Sequence, residues 1–359
     1  MKKQALVSFA MALCGAAAAL PPAYAAEVIV VTVAPETSVA AREYAQGAAL
    51  YFAHVNATVA AAGTKITVVE QRDARPRPET REAVAYLTAG GRGAVQDVLP
   101  ALRMHGTPLL TPDEAQSSEP VRLVFSTRPR AAEEAAATVR RLYDMGMRRI
   151  AIAAAEGPAG RAAIDAARAR MAARGVTLAA AVDLPGHAAG IAAAADAVAS
   201  AKVQGIAVVG ETQRAAAFTQ ALRDRGSYAL VVTGSSIDAR SLRAQLSESA
   251  AIWLATADTL PDVQEARRAE AVVTEYRALQ ARYGGTAGMS STAALEGFIA
   301  AKVLVEAVRR SGPKPTAAGV RQALETLADF DVGGARVSFR DPAASGLIYA
   351  RISLLGSPH

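Results

Sequence analysis

The 359-residue chain contains one cysteine, one tryptophan, four histidines and only 5% aromatic residues. The cysteine, Cys14, falls within an apolar leader, so the chain beyond it has no thiol, disulfide, thiolate nucleophile or cysteine-ligated metal. His54, His105, His187 and His359 are scattered; they lack the paired spacing of a helical zinc site and read as surface residues of helices or loops. A Gly-x-Ser-x-Gly elbow, a Walker loop and a dinucleotide fingerprint are also missing. The expectation is therefore no enzyme, no metal and no cofactor, with an exported hydrolase as the enzyme alternative. Nor is there a clustered basic face. The net charge is +6, or +4 once Lys2 and Lys3 of the leader are subtracted, and the arginines alternate with acids in runs such as RRLYDMGMRR and QEARRAEAVV. That pattern belongs to solvated helix faces and excludes a nucleic-acid groove.

What is present begins with an address. Lys2 and Lys3 precede an apolar run from Ala5 to Leu20, then Pro21, Pro22 and the small-residue triplet Ala23-Tyr24-Ala25. Positive start, short apolar core and small-residue site form a secretory signal peptide over residues 1–26, cut after Ala25 or Ala26. The core is short for a spanning helix and is broken by two prolines. Lipidation at Cys14 is disfavoured by the bulky Leu13 before it. The expected location is the periplasm, as a soluble chain.

About 330 residues then remain, more than one compact core usually supports, so two lobes are expected. The hydrophobic fraction of 52% is inflated by alanine, which predicts thin helices packed on Val/Ile/Leu strands. Short β-branched runs alternate with amphipathic helices. EVIVVTV (27–33) precedes a helix over about 39–56; KITVVEQRD (65–73) precedes a segment whose Ala83, Val84 and Leu87 fit helical spacing. The rhythm repeats with RRIAIAAAE (148–156), VTLAAAVDL, GIAVVGE (205–211) and YALVVTG (228–234), each followed by a helix or turn. Helices are predicted over about 264–283 and through Leu295, Ile299, Val303, Leu304 and Ala307, and two β segments, FDVGGARVSF and GLIYARISLL, close the chain. Such alternation predicts largely parallel sheets, whose ligands sit beyond the carboxyl ends of the strands.

Several segments, in this order, resemble the leucine/isoleucine/valine-binding family of periplasmic receptors of ABC importers. REYAQGAALYFAHVNA is similar to that family's helix with a glycine and a terminal Asn-Ala, and KITVVEQRD to its strand ending in acids. EAVAYLTAGGRGAVQDVLPALRMHGTPLLTP resembles a strand, glycine turn, helix and second strand ending in Pro108 and Pro112. MRRIAIAAAEGPAGRAAIDAARARMAARGV resembles the start of the second lobe, EGFIAAKVLVEAVRRSG the late helix, and ALETLADFDVGGARVSF the Phe-Asp-x-Gly-Gly closing hairpin. The likeness covers nearly the whole chain after the leader. It implies a type I periplasmic binding protein fold, a Venus-flytrap of two Rossmann-like α/β lobes with mainly parallel sheets joined by a three-strand hinge. Lobe one would comprise residues 27–127 with 262–331, and lobe two 128–261 with 332–359. The implied partners are a small-molecule ligand and ABC permease membrane subunits, or a membrane sensor kinase for a receptor of the same fold, with the chain itself a monomer.

The resemblance also implies where ligand would be held. In the family, main-chain N–H groups and hydroxyls from two lobe-one turns grip a ligand carboxylate, as a buried anion requires several fixed donors. Those turns correspond to Gly91 and Arg92, and to Thr111, Pro112 and Asp113. Arg92 replaces a small hydroxyl residue, so it either reaches an anionic group or points to solvent. Asp113 would repel a carboxylate, or is simply a turn residue. Ala159 stands where the family has a tyrosine, and Thr212 where relatives often have an aromatic. Glu211 either accepts a ligand ammonium or acts as a helix N-terminal acid. Ser126 and Arg128 at the first crossing, and Ser235 after a lobe-two strand, complete the candidates. The expected ligand is a small polar or amino-acid-like solute.

Overall fold

The computed structural model describes residues 26–58, 63–73, 75, 77–89, 91–112, 122–235, 237, 239–263, 269–284, 291–340, 346–348 and 351–355. The leader through Ala25 therefore lies outside the described residues, and Ala26 opens the first strand.

The first half begins β1 (Ala26–Val33), α1 (Val39–Thr58), β2 (Thr64–Gln71), β3 (Ala83–Thr88), α2 (Gly91–His105), β4 (Leu109–Thr111) and β5 (Val124–Ser126). These strands form one sheet in the order β2-β1-β3-β4-β5, with every pairing parallel. The stretch read as helical through Ala83, Val84 and Leu87 is thus a strand, as the family resemblance implied and the spacing did not. All six residues of β3 are buried. The middle strand of a parallel sheet is covered on both faces, so its apolar residues do not alternate and its periodicity cannot be told from that of a helix.

The second half continues with α3 (Ala131–Asp144), β6 (Ile150–Ala155), α4 (Pro158–Ala172), β7 (Ala180–Leu184), α5 (Ala188–Ser200), β8 (Gly205–Val209), α6 (Thr212–Asp224), β9 (Leu230–Thr233), α7 (Ala239–Ala244) and β10 (Leu254–Asp258). Then come α8 (Ala271–Tyr283), α9 (Thr292–Arg310), α10 (Ala317–Glu325), β11 (Phe330–Asp331), β12 (Arg336–Ser338), β13 (Gly346–Ile348) and β14 (Arg351–Leu354). The second sheet runs β14-β10-β9-β8-β6-β7, parallel except for β14, which lies antiparallel to β10. Strands β11, β12 and β13 form a small antiparallel sheet.

Helices α8, α9 and α10 return to the first sheet. Val272, Tyr276, Phe298, Val303 and Leu324 share one buried cluster with Val30, Phe52, Leu87 and Phe125. Val332, Val337, Phe339 and Leu347 belong to the same cluster, so residues 332–339 and Leu347, which the resemblance placed in lobe two, pack on the first core; among the described residues of that closing segment, β14 joins the second sheet. The strand character of this hairpin was readable from its alternation, but alternation does not say which core a hairpin covers.

Glycine sets the tightest contact in the first lobe. A Cβ on Gly47 of α1 would lie 1.8 Å from the Ala294 carbonyl oxygen of α9, and one on Gly297 would lie 1.8 Å from the Tyr44 oxygen. Only two hydrogens let these backbones touch. Helix α9 starts where the Ala294 N–H donates to the Ser291 hydroxyl at 3.1 Å, a side-chain cap for an otherwise orphan donor.

The chain passes between the sheets after β5, after β10 and between β13 and β14. Two of these crossings touch: the Leu347 N–H donates to the Thr127 oxygen at 2.8 Å. A Cβ on Gly346 would come within 2.3 Å of the Arg128 oxygen.

Candidate functional site

The carboxyl ends of β8 and β9, the first turns of α3 and the end of β4 surround a crevice of about 190 Å³. Its wall is mostly small and apolar: Ala131, Ala135, Ala207, Val209 and Val232 from the second lobe and Pro112 from the first. The polar groups are few, namely Glu134 and Thr138 of α3, Ser235 after β9, and Arg128 at the first crossing. A mostly apolar hollow with a few convergent polar groups at strand ends is the usual form of a small-molecule site.

Glu134 lies half-buried on the first turns of α3 and faces the turn after β9. The Ser235 N–H donates to Glu134 Oε1 at 2.5 Å and the Ser235 hydroxyl to Oε2 at 2.8 Å. Burial pushes the Glu134 carboxyl above its ordinary range, because the charged form loses water. The two Ser235 bonds and the Arg128 charge act in the opposite direction. The Thr138 hydroxyl donates to the Glu134 main-chain oxygen at 2.8 Å and so faces back along its own helix.

Arg128 is held from the other lobe. Its guanidinium forks onto Glu296 of α9, Nε to Oε1 and Nη2 to Oε2, the latter at 2.9 Å. The Glu296 side chain is only 3% exposed while that of Arg128 is 43% exposed, so a buried carboxylate is matched by a guanidinium that reaches it from the solvent side. Crossing, late helix and crevice are thereby coupled through one side chain.

The structure scatters the residues singled out from sequence. Pro112, Arg128 and Ser235 line the crevice. Ser126 ends β5 beside it, its hydroxyl donating to the Pro112 and Arg128 oxygens at 3.4 and 3.1 Å. Thr111 is fully buried, and its carbonyl accepts the Thr127 N–H at 2.7 Å and the Thr127 hydroxyl at 3.2 Å. Gly91 opens α2 with φ +79°; Arg92 follows, but its side chain lies outside the described residues, as does Asp113 altogether.

On the second lobe, Ala159 is an exposed residue of the first turn of α4. Thr212 is the half-buried first residue of α6. Glu211 caps the backbone of that helix and accepts no capping bond on its side chain. That side chain is 71% exposed and stands 3.5 Å from Arg214. Of the two readings of Glu211, the helix-terminal acid describes its surroundings.

Sequence reasoning passed over Glu134. It is the second of two glutamates in the first turn of α3, the position that a favourable helix dipole alone would explain. Arg128, six residues before Glu134 and immediately ahead of Pro129, was the one local signal that this acid lies in the first turn of a helix at a crossing.

A family model for periplasmic binding proteins matches residues 29–348. No curated protein matches the chain. Among solved structures, a periplasmic substrate-binding protein from Ralstonia solanacearum is 28% identical over 92% of this chain and 97% of that one, with a TM-score of 0.54. An ABC transporter substrate-binding protein from Desulfitobacterium hafniense is 18% identical over 92% and 100%, at 0.62. A possible leucine/isoleucine/valine-binding protein from Rhodopirellula baltica is 16% identical over 95% and 100%, at 0.51. Two mainly parallel α/β sheets agree with these likenesses in fold, and with the family model matched over residues 29–348 the chain belongs to the periplasmic binding protein family.

Proposed function

We propose that the chain is a periplasmic receptor that captures a small polar or amino-acid-like solute between its lobes and hands it to the membrane subunits of an ABC importer. The observation that carries this reading is the crevice itself. It lies beyond the carboxyl ends of β8 and β9, takes Pro112 from one lobe and Glu134 and Ser235 from the other, and adjoins the first crossing. Closing the lobes would bury a solute there, and the solute's greater affinity for the closed form drives closure. Pro112, Ser126, Arg128, Glu134 and Ser235 form the proposed lining, with the Gly91 turn as a further source of main-chain donors.

The test is mass spectrometry of the small molecules released when the purified chain is denatured, followed by uptake assays with the solute found. The expected result is one solute at near-stoichiometric amount whose uptake falls when the gene is deleted. Uptake unaffected by the deletion would remove the transport role.

A further inference from the structure

We infer that the crevice selects a small solute with a net positive charge, a primary amine or amidine on a short apolar body, and that Glu134 is the group that receives the cation. This rests on the solute-receptor reading and specifies its ligand. Three charged groups meet at the crevice: Glu134 and Arg128 line it, and Glu296 stands behind Arg128. Arg128 is matched by the bidentate Glu296, so among these groups one negative charge, that of Glu134, is left over.

Ser235 does not cancel that charge. Its N–H and hydroxyl each occupy one lone-pair direction on one Glu134 oxygen, while a carboxylate offers about four acceptor sites. Two neutral donors orient the carboxylate and leave acceptor capacity on the side of the crevice. Burial already disfavours the ionised form, so a cation arriving there relieves an electrostatic cost that a neutral or anionic solute would leave in place.

The same inventory argues against a zwitterion. A ligand carboxylate would need fixed donors and an unmatched cation; the Gly91 turn does not line this crevice, and Arg128, the only cation that lines it among the described residues, has its charge matched by Glu296. Apart from Thr138, whose hydroxyl is turned onto its own helix, and Gly234, the remaining wall is alanine, valine and proline, which suits a hydrocarbon body. An apolar cavity of about 150 Å³ can hold benzene, so about 190 Å³ admits a solute of about six or seven non-hydrogen atoms.

The test uses four probes of one carbon skeleton, namely butylamine, 2-aminobutanoate, butanoate and butanol, titrated calorimetrically into the purified chain. Butylamine is expected to bind about ten- to a hundredfold more tightly than the other three, the scale of one charge-assisted hydrogen bond. In Glu134→Gln, which keeps the shape and an acceptor for Ser235, the preference should vanish; in Ser235→Ala, which keeps the charge, it should persist. Equal or tighter binding of 2-aminobutanoate, butanoate or butanol by the wild-type chain overturns the inference, and this comparison needs no variant. A preference for butylamine that survives in folded Glu134→Gln overturns it too. If a neutral or anionic solute binds while no amine does, the receptor reading stands and the cation site falls; if no solute of any kind binds, both fall.

Discussion

The two lobes share an architecture but not a filling. Among the described residues, seven fully buried aromatic rings, Tyr44, Phe52, Tyr86, Phe125, Tyr276, Phe298 and Phe339, belong to the first lobe, whereas Phe218 is the one such ring in the second. The second lobe substitutes alanine: β6 reads IAIAAA, and Ala163, Ala167, Ala194, Ala195 and Ala207 lie at or near zero exposure. Large rings concentrate packing energy in a few side chains, while alanines spread it over close backbone approach. The difference has a functional side, since Ala131, Ala135 and Ala207 leave space beneath α3 that larger residues would fill.

The largest expected effect breaks the first lobe at its ring cluster. Phe298 stands edge-on to Tyr51 and to Tyr276, with centroids 5.1 and 5.3 Å away. Phe298→Ala should cost about 3–5 kcal/mol, the range for deleting a buried ring, as read from denaturant unfolding. A loss no larger than that of an alanine-lobe substitution would dissolve the contrast.

The second lobe has a polar counterpart to a ring. Arg223, 6% exposed, donates to the Ser227 and Ile252 carbonyls, both at 2.8 Å, and satisfies loop oxygens that thin side chains leave unsupported. Arg223→Leu should cost about 2–3 kcal/mol through those orphaned acceptors. Its effect should appear in hydrogen exchange of β9 and β10 while leaving α1 and α9 unchanged; equal loss of protection in both lobes would contradict a local role.

Acid should act with opposite signs on two carboxyls, one in each lobe. Asp331 Oδ1 accepts the N–H groups of Gly333 and Gly334 at 2.8 and 2.9 Å, which hold its carboxyl below the ordinary range. Its stabilisation is present above the usual carboxylate pKa and is lost as pH falls through the depressed value. Glu134, raised by burial, behaves conversely: as pH falls through its raised value it takes up a proton in the folded state first, and stability rises until the ordinary carboxylate range is reached. Asp331→Asn should therefore flatten acid lability and Glu134→Gln should flatten the opposing slope, both measured as unfolding free energy against pH. The same slope in both variants would refute the assignment.

The smallest effect sharpens the site. Glu211→Gln touches a side chain 71% exposed that stands 3.5 Å from Arg214, and should change stability by less than about 0.5 kcal/mol and leave solute binding unaltered. A tenfold loss of binding would restore Glu211 to the crevice.

The fold was more legible than the site, for physical reasons visible in particular residues. Strands such as Glu27–Val33 and Gly205–Val209 announce themselves because β-branched runs end at turns and helices. Ala83–Thr88 misled because a strand covered on both faces loses its alternation. Turn and crossing positions after strands located the crevice, yet only Pro112, Arg128 and Ser235 of the chosen residues line it. Glu134 stayed hidden because a first-turn glutamate is already explained by the helix that carries it. A chain order does not reveal that a serine a hundred residues later will meet that glutamate.

A receptor of the proposed kind takes a solute between its lobes and is drawn together by it. Small-angle scattering of the purified chain, before and after adding the solute released from it, tests this most directly. The account predicts a smaller radius of gyration on addition, with the change lost in Glu134→Gln. Saturating binding with unchanged dimensions would contradict it.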